Sequence, residues 1–574
     1  MERLNGSAQV IRTLEDLGVT EIFGYPGAAI VDIYDELYSS KKIHHSLVRH
    51  EQAAVHMADG YARATGKVGV ALVTSGPGAT NTVTAIATAY MDSIPVVLIT
   101  GQVSTNLIGS DAFQEVDTVG VTRPVVKHSF LCKKPEDVPD FIRKAFYIAS
   151  TGRKGPVVVD IPKNCQNPRY LFDYENIPLS QIHLRSYNPT VHGHKGQVKR
   201  AVTELAHARC PVLLLGGGVI QGDACEEIVT LAKRMNLPVC STLMGISAYP
   251  SEDRQFLGMV GLHGLYTANH AMHNCDLLFT VAVRFDDRVT NNVQKFCPKA
   301  KIVHIDVDPA SISKVIHSDI PIVGDARAVL KQILETMDEL KITANPEIGQ
   351  WWDFIERSRK ERPLAYKKNG DFIQPEQVIE AISDAVKGRD DVYVTTDVGQ
   401  HQIFTAQYFK FSHPRHFLTS GGLGTMGFGF PAAAGVKSAL PDACVICITG
   451  DGSFQMNMQE LSTCKQYHLP LKIFILDNHA LGMVRQFQTV FYKERYSATC
   501  LDDNPDFVKL AEAFGHKGMM VNRPEDLEKT IRQALSLKDD LVIVDIRTDT
   551  NEIVFPWQRS GGSVEDQMFS KEDA

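Results

Sequence analysis

The chain lacks any basic excess: Lys+Arg number 59 against Asp+Glu 67, a formal charge of −8. That balance excludes the electrostatic footprint of a nucleic-acid or anionic-membrane binder. No leader is expected, because Met1-Glu2-Arg3-Leu4-Asn5-Gly6 runs straight into a helical pattern without an apolar or Arg/Ser-rich segment. The uncharged stretch 68–91 is interrupted by Pro77, glycines and many threonines, so no membrane span is expected there. Eleven cysteines are scattered singly, and only Cys444 and Cys447 lie close. Their odd separation puts them on opposite faces of a strand, which excludes a metal or redox pair. Reduced thiols in a cytoplasmic protein are expected. Short-period repeats and low-complexity segments are absent as well.

What is present is alternation. With 574 residues the chain is too long for one core, and 44% hydrophobic with 22% charged residues is ordinary for a globular protein. Short β-branched runs alternate with longer helical stretches. The runs 68–74, 95–100 and 156–161 form one set, 211–215, 277–281 and 301–305 a second, and 391–395, 443–448, 472–476 and 541–545 a third. Runs this apolar suit parallel strands covered on both faces. The fold class is therefore α/β, with three doubly wound parallel-sheet domains. Expected boundaries are 1–165, 196–338 and 372–550, with linkers at 166–195 and 339–371 and a C-terminal tail at 551–574.

Chemistry concentrates in the third block. A strand ends in Gly450-Asp451-Gly452-Ser453, and after 24 residues intervening between Gly452 and Asp477 a second strand ends in Asp477-Asn478. Both segments emerge at the carboxyl edge of a parallel sheet, where ligands sit. Asp451 offers a carboxylate and Asn478 an amide oxygen to one hard cation, with the Ala480 carbonyl as a further oxygen ligand. Gly450 and Gly452 let the backbone approach a diphosphate. Gly-Asp-Gly alone is a common turn. In the first block, His50-Glu51-Gln52 opens a helix that Gly66 ends, and 74–81 forms a Gly-rich strand-to-helix loop. A first-turn Glu is by itself only a dipole partner.

Taken together, Gly-Asp-Gly followed at that distance by a strand-terminal Asn resembles the thiamine diphosphate motif. The resemblance extends from Phe23-Gly24-Tyr25-Pro26-Gly27 to Pro556, and is to the acetohydroxyacid synthase catalytic-subunit family. It implies a pyrimidine-binding domain, a central FAD-binding domain, a diphosphate-binding domain and a tail over the active site. It also implies thiamine diphosphate, Mg2+ and FAD as cofactors. A glutamate at the Glu51 position hydrogen-bonds the aminopyrimidine ring, a charge-assisted bond that promotes loss of the thiazolium C2 proton. Asp111-Ala112-Phe113-Gln114-Glu115 resembles the loop whose Phe113 and Gln114 line the reaction space, and Lys163 a lysine near the substrate channel. Val398, Gln400, His401, Gly424, Gly452, Ser453 and Met483 fall on thiamine diphosphate. Met426 sits where the family wedges the cofactor into its bent shape.

For FAD the resemblance assigns Arg153, Gly216, Gly217, Gly261, Leu262, His263, Gly264, Arg284, Asp286, Arg288, Asp306 and Asp325, with no net redox role for the flavin. Gly216-Gly217-Gly218 alone is a weak dinucleotide signal, and His263 could be a core histidine. Ala28, Asp287, Arg288 and Phe487 fall on the substrate pocket. The implied reaction decarboxylates pyruvate and joins its two-carbon unit to a second 2-keto acid, the first common step of branched-chain amino acid biosynthesis (valine, isoleucine). A pyruvate-oxidase-like flavoenzyme is the alternative, and a non-catalytic cofactor-binding subunit a third reading. A homodimer or dimer of dimers with active sites between chains is implied, with a small regulatory subunit. The sequence departs from the family pattern at Ala28 (usually Gly), Leu262 (Met), Asp477 (Asn), Phe487 (Trp) and Trp557 (Met).

Overall fold

Strands buried on both faces organise the chain into three six-stranded parallel sheets. They are seen in a computed structural model that describes residues 2–368, 370, 372–563 and 566–573. The first sheet runs, edge to edge, His44–Leu47, Glu21–Tyr25, Gly69–Val73, Val96–Gln102, Val157–Pro162 and His128–Leu131. In the third the order is Phe417–Leu418, Val392–Thr396, Cys444–Gly450, Lys472–Asp477, Val542–Arg547 and Lys517–Val521. Numbered in chain order, both sheets read 2-1-3-4-6-5. The central sheet differs. Phe256–Met259, Val239–Ser241, Pro211–Leu215, Leu277–Val281, Lys301–Asp306 and Ile320–Val323 give the order 3-2-1-4-5-6 of a dinucleotide-binding fold. Its direction of winding reverses between Pro211–Leu215 and Leu277–Val281, so a crevice opens there.

All ten apolar runs expected as strands are strands. Those without such a run are mostly edges, such as His44–Leu47 and Lys517–Val521, whose mixed exposure leaves no continuous apolar signal.

The first and third sheets are joined by two helices, Glu51–Thr65 and Gly429–Ala439. A Cβ on Gly60 would lie 2.2 Å from the Ala432 carbonyl oxygen, and one on Gly435 only 2.0 Å from that of Met57. Glycine on each helix thus permits backbone-to-backbone contact. The helix carrying Glu51 is consequently rigid against the third domain.

The stretch 339–371, expected as a connector, carries the helix Ile348–Glu361. Trp351 and Trp352 are buried in the central core and donate indole N–H bonds to the carbonyls of Pro211 and Asn236, each at 3.0 Å. This segment therefore packs as part of the central unit. The tail pairs Trp557–Gln558 with Gln567–Met568 and is tied to the central domain by Gln558 N–H to Leu262 O at 2.8 Å. Among the described residues no helix is long and apolar enough to cross a membrane, and all eleven cysteines are free.

Candidate active site

Two adjoining cavities lie at the carboxyl ends of the central and third sheets. The larger, of about 740 Å3, takes its walls from all three domains. The smaller, of about 90 Å3, lies over the third sheet. They share Val398, Gly399, Met426, Met483 and Val484. Met426 therefore stands between two chambers.

The smaller chamber gathers Gln400, His401, Asp451, Gly452, Ser453, Asn478 and Ala480. Asp451 opens the short helix Asp451–Phe454, directly after its strand. Asn478 follows the neighbouring strand, and its Nδ2 donates to Gln400 Oε1 at 3.2 Å. A Cβ on Gly482 would lie 2.1 Å from Gln400 Oε1 and 2.6 Å from Asn478 Nδ2, so glycine lets these two amides close over its backbone. His401 is kept neutral, its pKa pushed down to about 3 by burial. Its Nε2 is buried without a hydrogen-bond partner. An anion in this chamber would supply that partner and favour the charged ring. Burial, and then neighbouring Asp477, raise the Asp451 carboxyl; a divalent cation reverses that penalty. Among the described residues no three His, Cys, Asp or Glu side chains form a metal group. A cation here would need the Asn478 amide, a backbone carbonyl and oxygens of its ligand beside Asp451, a hard oxygen set of the kind that suits magnesium.

The larger chamber fits a dinucleotide. Gly216 and Gly217 sit at the reversal point of the central sheet, where a Cβ on Gly216 would lie 1.8 Å from the Ala282 carbonyl oxygen. Arg153, Leu262, His263, Arg284, Asp286, Asp287, Arg288, Asp306 and Asp325 line the same space, as do Gly424 and Phe487. Burial pushes the Asp306 carboxyl up to about 6, and it accepts the Asp308 amide at 2.8 Å. Arg153 is aimed by Ser93 Oγ (2.9 Å) and Asp308 (3.1 Å). Arg284 donates to the Met91 carbonyl at 2.8 Å. Asp325 and Asp286 also cap helices, accepting the amides of Ala328 (3.0 Å) and Val289 (3.2 Å). Gly261 and Gly264 do not line the cavity. Gly261, at φ +100°, brings its backbone against Arg288, whose carbonyl accepts the Leu262 amide at 2.8 Å.

The remaining expected residues collect elsewhere, at the carboxyl edge of the first sheet. Glu51 opens its helix behind the N-cap His50, and Asn81 Nδ2 donates to Glu51 Oε2 at 2.9 Å. Gly76, at φ +57°, lies against Gln114, whose carbonyl oxygen would be 2.7 Å from its Cβ. Glu115 accepts the amides of Gly109 and Ala112, which hold its carboxyl below the usual range. The loop so folded leaves Phe113 87% exposed. Lys163 pairs with Asp32 at 2.9 Å, and Ala28 begins the short 3-10 turn Ala28–Ile30. None of Glu51, Phe113, Gln114, Lys163 or Ala28 lines either cavity.

Three residues around these sites had no sequence signal. Asn81 ends the loop 74–81 but is an ordinary turn residue there. Glu460, from the third domain, accepts the Arg49 amide on both carboxylate oxygens at 3.0 and 3.1 Å, fixing the base of the Glu51 helix. Asn504 reaches Asp451 from 53 positions away. Long-range partners like these leave no local pattern.

Comparison with known proteins identifies the family. Residues 4–121 match the thiamine pyrophosphate enzyme N-terminal TPP binding domain, 198–333 the central domain and 397–546 the C-terminal TPP binding domain. The acetolactate synthase large subunit of Haemophilus influenzae is 54% identical over 571 residues, covering 100% of this chain and 99% of the relative. Acetolactate synthase isozyme 3 large subunit of Escherichia coli is 53% identical over 575 residues, with the same coverage. A Buchnera aphidicola large subunit is 51% identical over 575 residues, covering both chains fully. With three matched domains in order and more than half of its residues shared along its length, this chain belongs to the acetolactate synthase large-subunit family of thiamine pyrophosphate enzymes.

Proposed function

We propose that the chain decarboxylates pyruvate and transfers the two-carbon unit to a second 2-keto acid, forming 2-acetolactate and, with 2-ketobutyrate, 2-aceto-2-hydroxybutyrate. This is the first common step toward the branched-chain amino acids. The observation that carries the reading is the shared wall of the two chambers at Met426, beside a diphosphate cradle. The oxidase alternative is not favoured, since the full-length relatives above are acetolactate synthases.

Thiamine diphosphate, when bound, supplies the electron sink for decarboxylation. This chain's residues do the rest. Asp451, Asn478 and the Ala480 carbonyl would hold magnesium at the diphosphate, and Gln400, His401, Gly452 and Ser453 would cradle it. Met426 and Met483 present apolar surface to the rings. Glu51 holds a proton at the pyrimidine. Gln114, Lys163, Arg288 and Phe487 orient the keto acids, and the larger chamber would hold FAD in a role without net redox change.

The working site is built by two copies of the chain. Glu51 and Gln114 lie away from the cavities they are to serve, and the exposed Phe113 ring suits burial against a partner. A homodimer is the minimal unit. The relatives' designation as large subunits supports a small regulatory partner, and eleven unpaired cysteines support a cytoplasmic setting.

Product analysis with pyruvate alone, then with an equal mixture of pyruvate and 2-ketobutyrate, tests the reaction. Acetohydroxy acids without oxygen consumption are expected; stoichiometric peroxide would reject the reading. Mixing subunits of Glu51→Gln and Asp451→Ala, each inactive alone, should restore activity through hybrid dimers. Failure of hybrids to turn over would reject the shared site.

A further inference from the structure

Three carboxylates are packed beneath the smaller chamber with a single cation. Asp451, Asp477 and Asp545 are at most 1% exposed. Asp477 ends its strand and Asp545 lies in the adjacent one, in register with Ile475. Arg547, paired in register with Asp477, reaches Asp477 Oδ2 at 2.6 Å and Asp545 Oδ2 at 3.6 Å. One guanidinium against three carboxylates leaves an excess of negative charge where water is excluded. Like charges so placed repel strongly unless dipoles or a cation intervene.

Asn504 intervenes between two of them. Its Nδ2 donates to Asp451 Oδ2 at 2.7 Å and to Asp477 Oδ1 at 3.1 Å. The orientation of the amide is dictated by a chain of bonds. The Asp451 carbonyl can only accept, so it faces the Gln455 Nε2 at 3.1 Å. That same Nε2 donates to Asn504 Oδ1 at 3.1 Å. With its oxygen turned to Gln455, Asn504 must direct its NH2 at the carboxylates.

We infer that Asn504 is a positioning residue for the cation: it occupies Asp451 Oδ2, so that Asp451 turns one oxygen, Oδ1, to the metal. The inference rests on the reading of Asp451 as a metal ligand. Its consequence is selectivity. Magnesium demands near-ideal octahedral geometry and favours one oxygen per carboxylate, whereas calcium accepts two from the same group. Freed from Asn504, Asp451 can swing to present both oxygens. Magnesium binding then suffers more than calcium binding.

The test is cofactor binding to the flavin-loaded chain without substrate, by equilibrium dialysis of thiamine diphosphate against rising Mg2+ or Ca2+. For Asn504→Ala, half-saturation in Mg2+ should rise about tenfold, the size usual for outer-shell partners of a metal. The Ca2+ value should rise by less than about threefold, with flavin content unchanged. A merely structural role would weaken both ions equally, and equal shifts or no shift overturn the inference. Asn504→Ser keeps one donor and should fall between parent and Asn504→Ala; it also serves if the alanine variant does not fold. Asp451→Ala separates the two levels of the claim. If it leaves the cation requirement intact, the ligand assignment itself is wrong, whatever Asn504 does.

Discussion

Arg63 reaches Asp92 across 2.8 Å in a site closed to water, while the same guanidinium pairs with Asp59 on its own helix. Asp92 in turn accepts the amides of Gly422 (2.7 Å) and Gly421 (3.3 Å), and Arg63 donates to the Thr419 carbonyl at 2.8 Å. One ion-pair network thus holds the loop that leads to Met426. Arg63→Met strands two buried carboxylates, a loss of about 3–5 kcal/mol. Asp92→Asn leaves Arg63 paired with Asp59 and keeps an acceptor for Gly422, so about 1–2 kcal/mol is expected. Denaturant unfolding should rank the parent above Asp92→Asn and that above Arg63→Met. Acidification should narrow the deficit of Arg63→Met, because stranded carboxylates can then protonate. The reverse ranking would mean that the loop, not the charge, sets the stability.

Glu51 is held by Asn81 at 2.9 Å, at the opposite end of its helix from Arg63. Glu51→Gln preserves an oxygen for that bond but removes the charge. Turnover should fall by about two to three orders of magnitude, or roughly 3–4 kcal/mol of transition-state stabilisation. Folding and flavin content should not change. A variant that turns over pyruvate near the parent rate would remove Glu51 from the chemistry.

The sequence made the parallel strands and the metal-cradle motif legible because both are local: an apolar run, and two strand ends at fixed spacing. That Glu51 and Asp451 lie at separate edges is implied only by the family resemblance, because no local pattern encodes how the helices Glu51–Thr65 and Gly429–Ala439 pack. Nor does the sequence show how Asp477 is tolerated. Its charge is met by Arg547 at 2.6 Å, a cross-strand pairing 70 positions away in the chain. The charged stretch 339–371 reads as a linker, and the buried helix Ile348–Glu361 within it is not legible because an amphipathic helix needs only one apolar face to join a core.

Stability should fall as pH rises through neutrality. Burial, and then Glu552 beside it, push Glu376 up to about 8, and burial pushes Glu552 up to about 7. Glu376 Oε2 is buried without a partner. For a carboxyl raised above its unfolded value, the folded state holds the proton more tightly. The resulting stability is present at acid pH and is lost as pH climbs through the folded value. Glu376→Gln should therefore match the parent near pH 5 and exceed it near pH 8, by roughly 2 kcal/mol. Equal pH slopes for the two proteins would show that Glu376 ionises freely.

Phe487 and Trp557 meet edge to face, with centroids 4.8 Å apart and ring planes at 75°. Phe487 lines the larger chamber, whereas Trp557 does not line either chamber and is 2% exposed. Leu262 packs in the same small cluster. Three departures from the family pattern are thus one packing unit, in which the larger ring stands behind the cavity wall. Restoring an indole at 487 alone would drive it into Trp557, and overpacking of this kind costs about 1–3 kcal/mol. Phe487→Trp should therefore lose stability and change acceptor preference little. Phe487→Trp with Trp557→Met relieves the clash and lets the indole form the wall. Pyruvate and 2-ketobutyrate differ by one methylene, worth about 1–3 kcal/mol in an apolar pocket. The double variant should accordingly raise the acetohydroxybutyrate-to-acetolactate ratio about tenfold or more in competition assays, with pyruvate self-condensation retained. A double variant with the parent's product ratio would show that this cluster serves the fold and leaves acceptor choice to other residues.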